Sequence, residues 1–196
     1  MKIKISISLF LVLLFLLPFS ASALEESIYQ PGELKPIDSE IKVEEGDKAI
    51  DFTLPSIDGE QVSLSQYQGE KNVMLSFVPA AWTPVCSDQW PGYDLVRDKF
   101  EEHDTILLGI TTDNVPSLYA WVQAMDGLWF PVLSDFWPHG EVAEKYGILR
   151  GDGTAERATI LVDKEGVIRY ISVEDINRRP PLEDLVAAME DLDKGE

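Results

Sequence analysis

The nearly unbroken apolar run from Asn72 to Val78, halted at Pro79, constrains the fold more than any other part of the chain. A continuous apolar run of that length is the pattern of a strand buried on both faces, which requires structure packed above and below the sheet. Beyond Pro79 come a short turn containing Trp82 and Thr83 and then a helix-compatible segment reaching to about His103. The order strand, loop, helix puts Cys86, the only cysteine in 196 residues, in the first turn of that helix. Backbone N–H groups there lack intrahelical partners and sit at the positive end of the helix dipole, so they favour a thiolate, the nucleophilic form of cysteine. A lone cysteine is otherwise most often a small buried hydrophobe, so its surroundings must decide between the two roles.

The remaining elements are read from periodicity and turn chemistry. Ala49 to Leu54 and Gln61 to Leu64 alternate in polarity around Ser56-Ile-Asp-Gly59, whose Asp-Gly pair signals a turn, so an N-terminal β-hairpin is predicted. After Cys86, the residues Trp90, Tyr93, Val96 and Phe100 recur at helical spacing with Asp94, Asp98 and Glu101 between them, predicting one inward face and a kink at Pro91. Thr105 to Thr111 reads as a strand, and Asp113-Asn-Val-Pro116 as the start of a helix with a stripe of Leu118, Trp121, Val122 and Met125. Phe130 to Leu133 makes a short strand and Pro138 to Tyr146 a short helix closed by Gly147. Ala158 to Val162 and Val167 to Ile171 flank Asp163-Lys-Glu-Gly166 as a second hairpin, and Leu182, Leu185, Met189 and Leu192 line a terminal helix after Pro180-Pro181. Alternating strands and helices with a hairpin at each end define an α/β class: a mixed central sheet with helices on both faces.

The chain is long enough for one such domain, placed at residues 47–193. Residues 24–46, acidic and aperiodic with Pro31, Gly32 and Pro36, are predicted to be an extended arm or linker. Lys2 and Lys4 precede an apolar run from Ile5 to Leu17, and Ala21-Ser-Ala23 is a small-x-small cleavage site, so residues 1–23 read as a secretory signal peptide. The run is short for a membrane span, and cleavage near Leu24 would leave no stable membrane anchor. The expected location is therefore outside the cytoplasm, periplasmic or extracellular. A single cysteine in an oxidising compartment cannot close a disulfide within its own chain, which leaves a free reactive thiol or an intermolecular partner. The formal charge of −19, from 35 acidic and 16 basic residues, excludes nucleic-acid binding. His103 and His139 have no metal-like spacing with Cys86, and no Gly-rich phosphate loop is present, so neither a metal nor a cofactor is predicted.

Pro79, Thr83 and Cys86 stand in the order Pro-x-x-x-Thr-x-x-Cys, which resembles the active-site motif of the peroxiredoxins, thiol peroxidases of thioredoxin-like fold. The resemblance extends over about Val43 to Val173. It implies that Cys86 attacks the peroxide, that the Thr83 hydroxyl and nearby backbone N–H groups hold the peroxide oxygens, and that Pro79 shields the thiol. It also assigns Arg157, just before the strand that ends in Asp-x-x-Gly, to the thiolate and the bound peroxide. Guanidinium suits that role because it stays charged and offers several donors in a fixed fork. The segment from Phe130 to Gly140 is similar to one in the one-cysteine, AhpE-like branch, where the cysteine sulfenic acid is rescued by an external thiol or a thioredoxin- or glutaredoxin-like protein. Trp82, Val85, Gln89, Phe136 and Trp137 are the pocket residues this resemblance suggests, and a homodimer is the assembly. The sequence departs from the family pattern at Gln89, where many members carry a glutamate that positions the arginine.

Hydrogen peroxide and organic hydroperoxides are both admissible substrates on this reading. Two other readings compete. Exported thioredoxin-like proteins with Trp-Cys-x-x-Cys place a dithiol at the same turn, but Thr83 stands where the first cysteine would be. A binding or chaperone-like module could keep the fold without turnover, although packing alone does not require Pro79, Thr83, Cys86 and Arg157 together.

Overall fold

The computed structural model describes residues 21–194, so the lysines and apolar run of the expected signal peptide lie outside the described residues. A short helix α1 (Ala21–Ser27) is followed, after a long irregular stretch, by the hairpin strands β1 (Thr53–Pro55) and β2 (Gln61–Ser63). Then come β3 (Asn72–Phe77), α2 (Pro84–Gly92), α3 (Arg97–Glu102), β4 (Thr105–Thr111), α4 (Val115–Ala124), β5 (Val132–Ser134) and α5 (Glu141–Tyr146). The last elements are β6 (Arg157–Val162), β7 (Ile168–Glu174) and α6 (Leu182–Lys194). The five-stranded sheet has the order β5-β4-β3-β6-β7, with β3 parallel to β4 and antiparallel to β6. The apolar run is thus the central strand, and every residue of β3 is buried.

Alternate residues of the strands feed two cores. Val73, Leu75 and Phe77 of β3 pack with Ile160 and Val162 of β6, the hairpin residues Leu54 and Val62, and Ala143 and Tyr146 of α5. Met74 and Val78 face the other way, onto Trp90, Leu118, Trp121, Leu185 and Met189 of α2, α4 and α6. Helices therefore cover both faces of a mixed sheet, with the hairpin packed at one side, which is the thioredoxin-like arrangement expected from the sequence. In the second core Trp90 lies against β4 at Gly109, where an added Cβ would come within 2.9 Å of the indole.

Several element boundaries differ from expectation, among them β1, which is Thr53–Pro55 where the sequence predicts Ala49 to Leu54, and three differences have a clear local reason. The helical segment after Cys86 is not continuous to His103: α2 ends at Gly92, a 3-10 turn spans Tyr93–Val96, and α3 begins at Arg97. Pro91 and Gly92 together account for the break, since proline removes a backbone donor and glycine favours chain freedom over helix. The strand expected at Phe130 to Leu133 sits at Val132–Ser134, because pairing with Gly109 to Thr111 sets its register. The helix expected from Pro138 begins at Glu141, after Gly140 turns the chain with a φ of 75°.

The segment leading into the hairpin lies along the domain. Tyr29 N donates to Trp82 O (2.8 Å), Ile176 N to Pro36 O (3.0 Å) and Lys42 N to Tyr146 O (3.0 Å). At Gly147, where φ is 76°, an added Cβ would meet Glu40 O at 2.4 Å, so only glycine allows this approach. A buried ion pair, Arg150 Nη1 to Glu156 Oε2 at 2.6 Å, also holds the segment. Glu156 Oε1 accepts from Asp38 N (2.6 Å), and Arg150 Nη2 donates to Lys35 O (2.8 Å).

Candidate active site

Cys86 is the third residue of α2, which starts where β3 ends, and Arg157 opens the adjacent β6. Neighbouring antiparallel strands thus deliver both side chains to one edge of the sheet. Arg157 Nη2 lies 3.6 Å from Cys86 Sγ, a hydrogen-bond distance to sulfur that sets a fixed positive charge beside it. Sγ and the guanidinium share the floor of a cleft of about 800 Å³ whose walls include Pro79, Thr83 and Val85.

The loop before Cys86 is built to leave donors unused by the protein. Thr83 caps α2 without bonding the helix through its side chain; its hydroxyl donates instead to Ala80 O (2.8 Å). Having given its proton, Thr83 Oγ1 keeps lone pairs for a ligand O–H. The first intrahelical bond is Ser87 N to Thr83 O, so the N–H groups of Val85 and Cys86 precede the helix's own acceptors. Asp113 holds the other side of the turn, its carboxylate accepting from Ala81 N (2.8 Å) and from the Thr111 hydroxyl. Nothing in the local sequence marks Asp113 for this task beyond its place at a strand end.

Arg157 is almost wholly buried and is held through all three of its nitrogens. Its Nε and Nη2 donate to Ile176 O at 3.3 and 2.9 Å, and its Nη1 donates to Gln89 Oε1. Gln89 therefore stands behind the arginine and not in the cleft wall, correcting its assignment to the substrate pocket. Its amide nitrogen donates to Tyr93 Oη (2.6 Å), which in turn contacts Ser76 Oγ (3.0 Å), itself an acceptor for Trp90 Nε1 (3.2 Å). Burial pushes the pKa of Tyr93 up, so its hydroxyl stays protonated and can both accept and donate.

Phe136 and Trp137 do not border this cleft. They lie beyond β5, the edge strand, while Cys86 sits on α2 after the central strand β3 and Arg157 on the adjacent β6, and both aromatics are exposed, with Trp137 set edge-on to His139. Trp82 is not among the residues lining the cleft either: partly buried, it packs against the second core with a φ of 60°, and its carbonyl accepts from Tyr29 N. The sequence did not anticipate Ile176, whose carbonyl orients the arginine, or the contribution of residues 29–34 to the cleft.

A single thiol at a helix N-terminus, beside a buried arginine and at the edge of a thioredoxin-like sheet, defines a one-thiol redox site with no second cysteine among the 196 residues to resolve it. The model of the AhpC/TSA family matches residues 45–171. Alkyl hydroperoxide reductase E of Mycobacterium tuberculosis is 39% identical over 133 residues, covering 66% of this chain and 84% of that protein. A chloroplastic 2-Cys peroxiredoxin of Hordeum vulgare is 33% identical over 141 residues, 67% of this chain and 66% of the relative. The mitochondrial 2-Cys peroxiredoxin from Plasmodium falciparum superimposes with a TM-score of 0.69 at 26% identity, over 76% of this chain and 94% of that one. The chain belongs to the AhpC/TSA family, and it is a thiol-dependent peroxidase.

The Gln89 substitution for glutamate then has a structural counterpart. An amide has one accepting and one donating end, and guanidinium only donates, so Gln89 serves Arg157 only if its NH2 end has an acceptor elsewhere. Tyr93 Oη is that acceptor. Tyr93→Phe leaves the buried NH2 with Ser76 Oγ at 3.5 Å alone, a deficit of about 1–3 kcal/mol that loosens Arg157. Its peroxide step, followed by rapid mixing, is expected to slow about tenfold. Adding Gln89→Glu should restore most of the rate, because both carboxylate oxygens accept; a loss that glutamate does not repair would assign Tyr93 to packing alone.

Proposed function

We propose that this chain is an exported one-cysteine peroxiredoxin of the AhpE-like branch, reducing hydrogen peroxide or organic hydroperoxides through a Cys86 sulfenic acid. The observation that carries this is the 3.6 Å approach of Arg157 Nη2 to Cys86 Sγ at the floor of an open cleft. The thiolate attacks the terminal peroxide oxygen, the O–O bond breaks, and its electron pair leaves on the alkoxide or hydroxide, which takes a proton to give alcohol or water. Two electrons pass from sulfur, forming Cys–SOH. Arg157 and the N–H groups of Val85 and Cys86 stabilise negative charge on the departing oxygen, while Thr83 Oγ1 accepts the peroxide O–H.

An external thiol then condenses with the sulfenic acid, releasing water and forming a mixed disulfide. A second thiol displaces Cys86 and leaves as the small disulfide, restoring the enzyme. The single cysteine favours this route, as does the 39% identity to the mycobacterial enzyme. Export is supported by Lys2, Lys4, the apolar run and Ala21-Ser-Ala23. A homodimer is the assembly we expect from the family.

Intact mass spectrometry of protein recovered from cells producing the full chain tests both parts. The mass should correspond to a start near Leu24, gain one oxygen with one equivalent of peroxide, and lose it on treatment with a small thiol. A chain beginning at Met1 would contradict cleavage of residues 1–23 as a signal peptide, and a peroxide-treated protein without the added oxygen would contradict the sulfenic acid route.

A further inference from the structure

We infer that residues 29–34 form a strap across the active-site cleft and determine its specificity, binding the neutral alkyl or aryl tail of an organic hydroperoxide. This rests on the peroxidase assignment of the same cleft.

The strap is tied at both ends to the elements that build the site. At one end Tyr29 N donates to Trp82 O, in the motif loop itself. At the other, Leu34 and Asn177 are joined twice: Leu34 N to Asn177 Oδ1 (3.0 Å) and Asn177 Nδ2 to Leu34 O (2.9 Å). Asn177 is next to Ile176, whose carbonyl orients Arg157. The buried Arg150–Glu156 pair then holds the chain just beyond, at Lys35 and Asp38. Between these anchors Pro31 and Gly32, the latter with a φ of 77°, turn the backbone across the opening.

The chemistry of the walls points to the occupant. A hydrogen peroxide molecule needs only the floor, where Thr83, Cys86 and Arg157 meet, whereas the cleft encloses about 800 Å³. Tyr29, Pro31 and Leu34 of the strap face it together with Pro79, Val85 and Ile176. Glu33, Asp152 and Asp175 also line it, against Arg178 as the further cation. On a chain of net charge −19 that balance disfavours a carboxylate-bearing substrate and suits an uncharged tail. The strap precedes residues 45–171, the part that matches the family.

Rapid mixing of the full chain with cumene hydroperoxide and with hydrogen peroxide gives two rate constants for Cys86 oxidation, and their ratio isolates the tail. Leu34→Ser, at a half-buried strap position, and Asn177→Ala, which releases the strap, should each lower the ratio of cumene hydroperoxide to hydrogen peroxide about tenfold. That is the effect of losing contact with roughly 55 Å² of apolar surface. A ratio that is unchanged or rises in both variants would overturn the inference, a rise meaning that the strap obstructs bulky peroxides. If the unaltered protein reacts with neither peroxide faster than a free thiol, the peroxidase assignment fails instead. Leu34→Ser touches no buried core, so the test stands even if Asn177→Ala does not fold.

Discussion

Cys86→Ser abolishes peroxide turnover with a small thiol as reductant, lowering the rate at least about a thousandfold, equivalent to about 4 kcal/mol of barrier. The reason is electronic more than geometric. The reaction stores two electrons' worth of oxidation on sulfur as a sulfenic acid, and a serine oxygen has no corresponding oxidised state. The fold should survive the change: serine is nearly isosteric, and its buried hydroxyl can accept from Arg157 Nη2, which lies 3.6 Å from the sulfur it replaces. Circular dichroism and peroxide consumption on the same preparation separate the two effects. An active Cys86→Ser protein would remove the basis for the mechanism.

Arg157→Ala is expected to have the next largest effect, slowing Cys86 oxidation well over tenfold, or more than about 1.4 kcal/mol. Arg157 acts at two points. It sets a positive charge beside sulfur during the attack, and it faces negative charge as it grows on the leaving oxygen, from a buried position where such interactions gain strength. The variant also strands Gln89 Oε1 and Ile176 O, both of which now accept from the guanidinium, so some stability is lost as well. A comparison with Arg157→Lys divides these contributions, because lysine keeps the charge but cannot reach sulfur, Gln89 and Ile176 in one planar fork. If Arg157→Lys retained full activity, charge alone would suffice and the fork geometry would be irrelevant.

Legibility in the sequence tracks the range of the interactions. The central strand, the motif loop and the position of Cys86 are readable because they depend on local periodicity and on Pro79 and Thr83. Arg157 can be placed from the strand it opens, and its distance from Cys86 is set by the pairing of β3 with β6, where Phe77 is opposite Ala158. The strap cannot be read, since its anchors join residues 143 positions apart, Leu34 and Asn177, in a stretch without hydrophobic period. Tyr93 looks like one more apolar position on a helical stripe; its hydroxyl meets Gln89, four residues before it, inside the core, where side-chain polarity leaves no mark on the hydrophobic period. Phe136 and Trp137 show the opposite error. A resemblance in sequence draws them toward the site, but the sheet order sets the loop after β5 two strands away from the motif loop that follows β3, at the same end of the sheet.

The most direct measurement is the second-order rate constant for reaction of the reduced protein with hydrogen peroxide, monitored by rapid-mixing tryptophan fluorescence. Trp82 precedes the motif helix and Trp90 lies within it, and both pack in the same core as Cys86, so oxidation should change their emission. A fast, Cys86-dependent change, orders of magnitude quicker than an ordinary free thiol and slowed by Arg157→Ala, is the expected result. A rate no greater than that of a free thiol would contradict an activated Cys86, leaving a peroxidase fold around an ordinary cysteine.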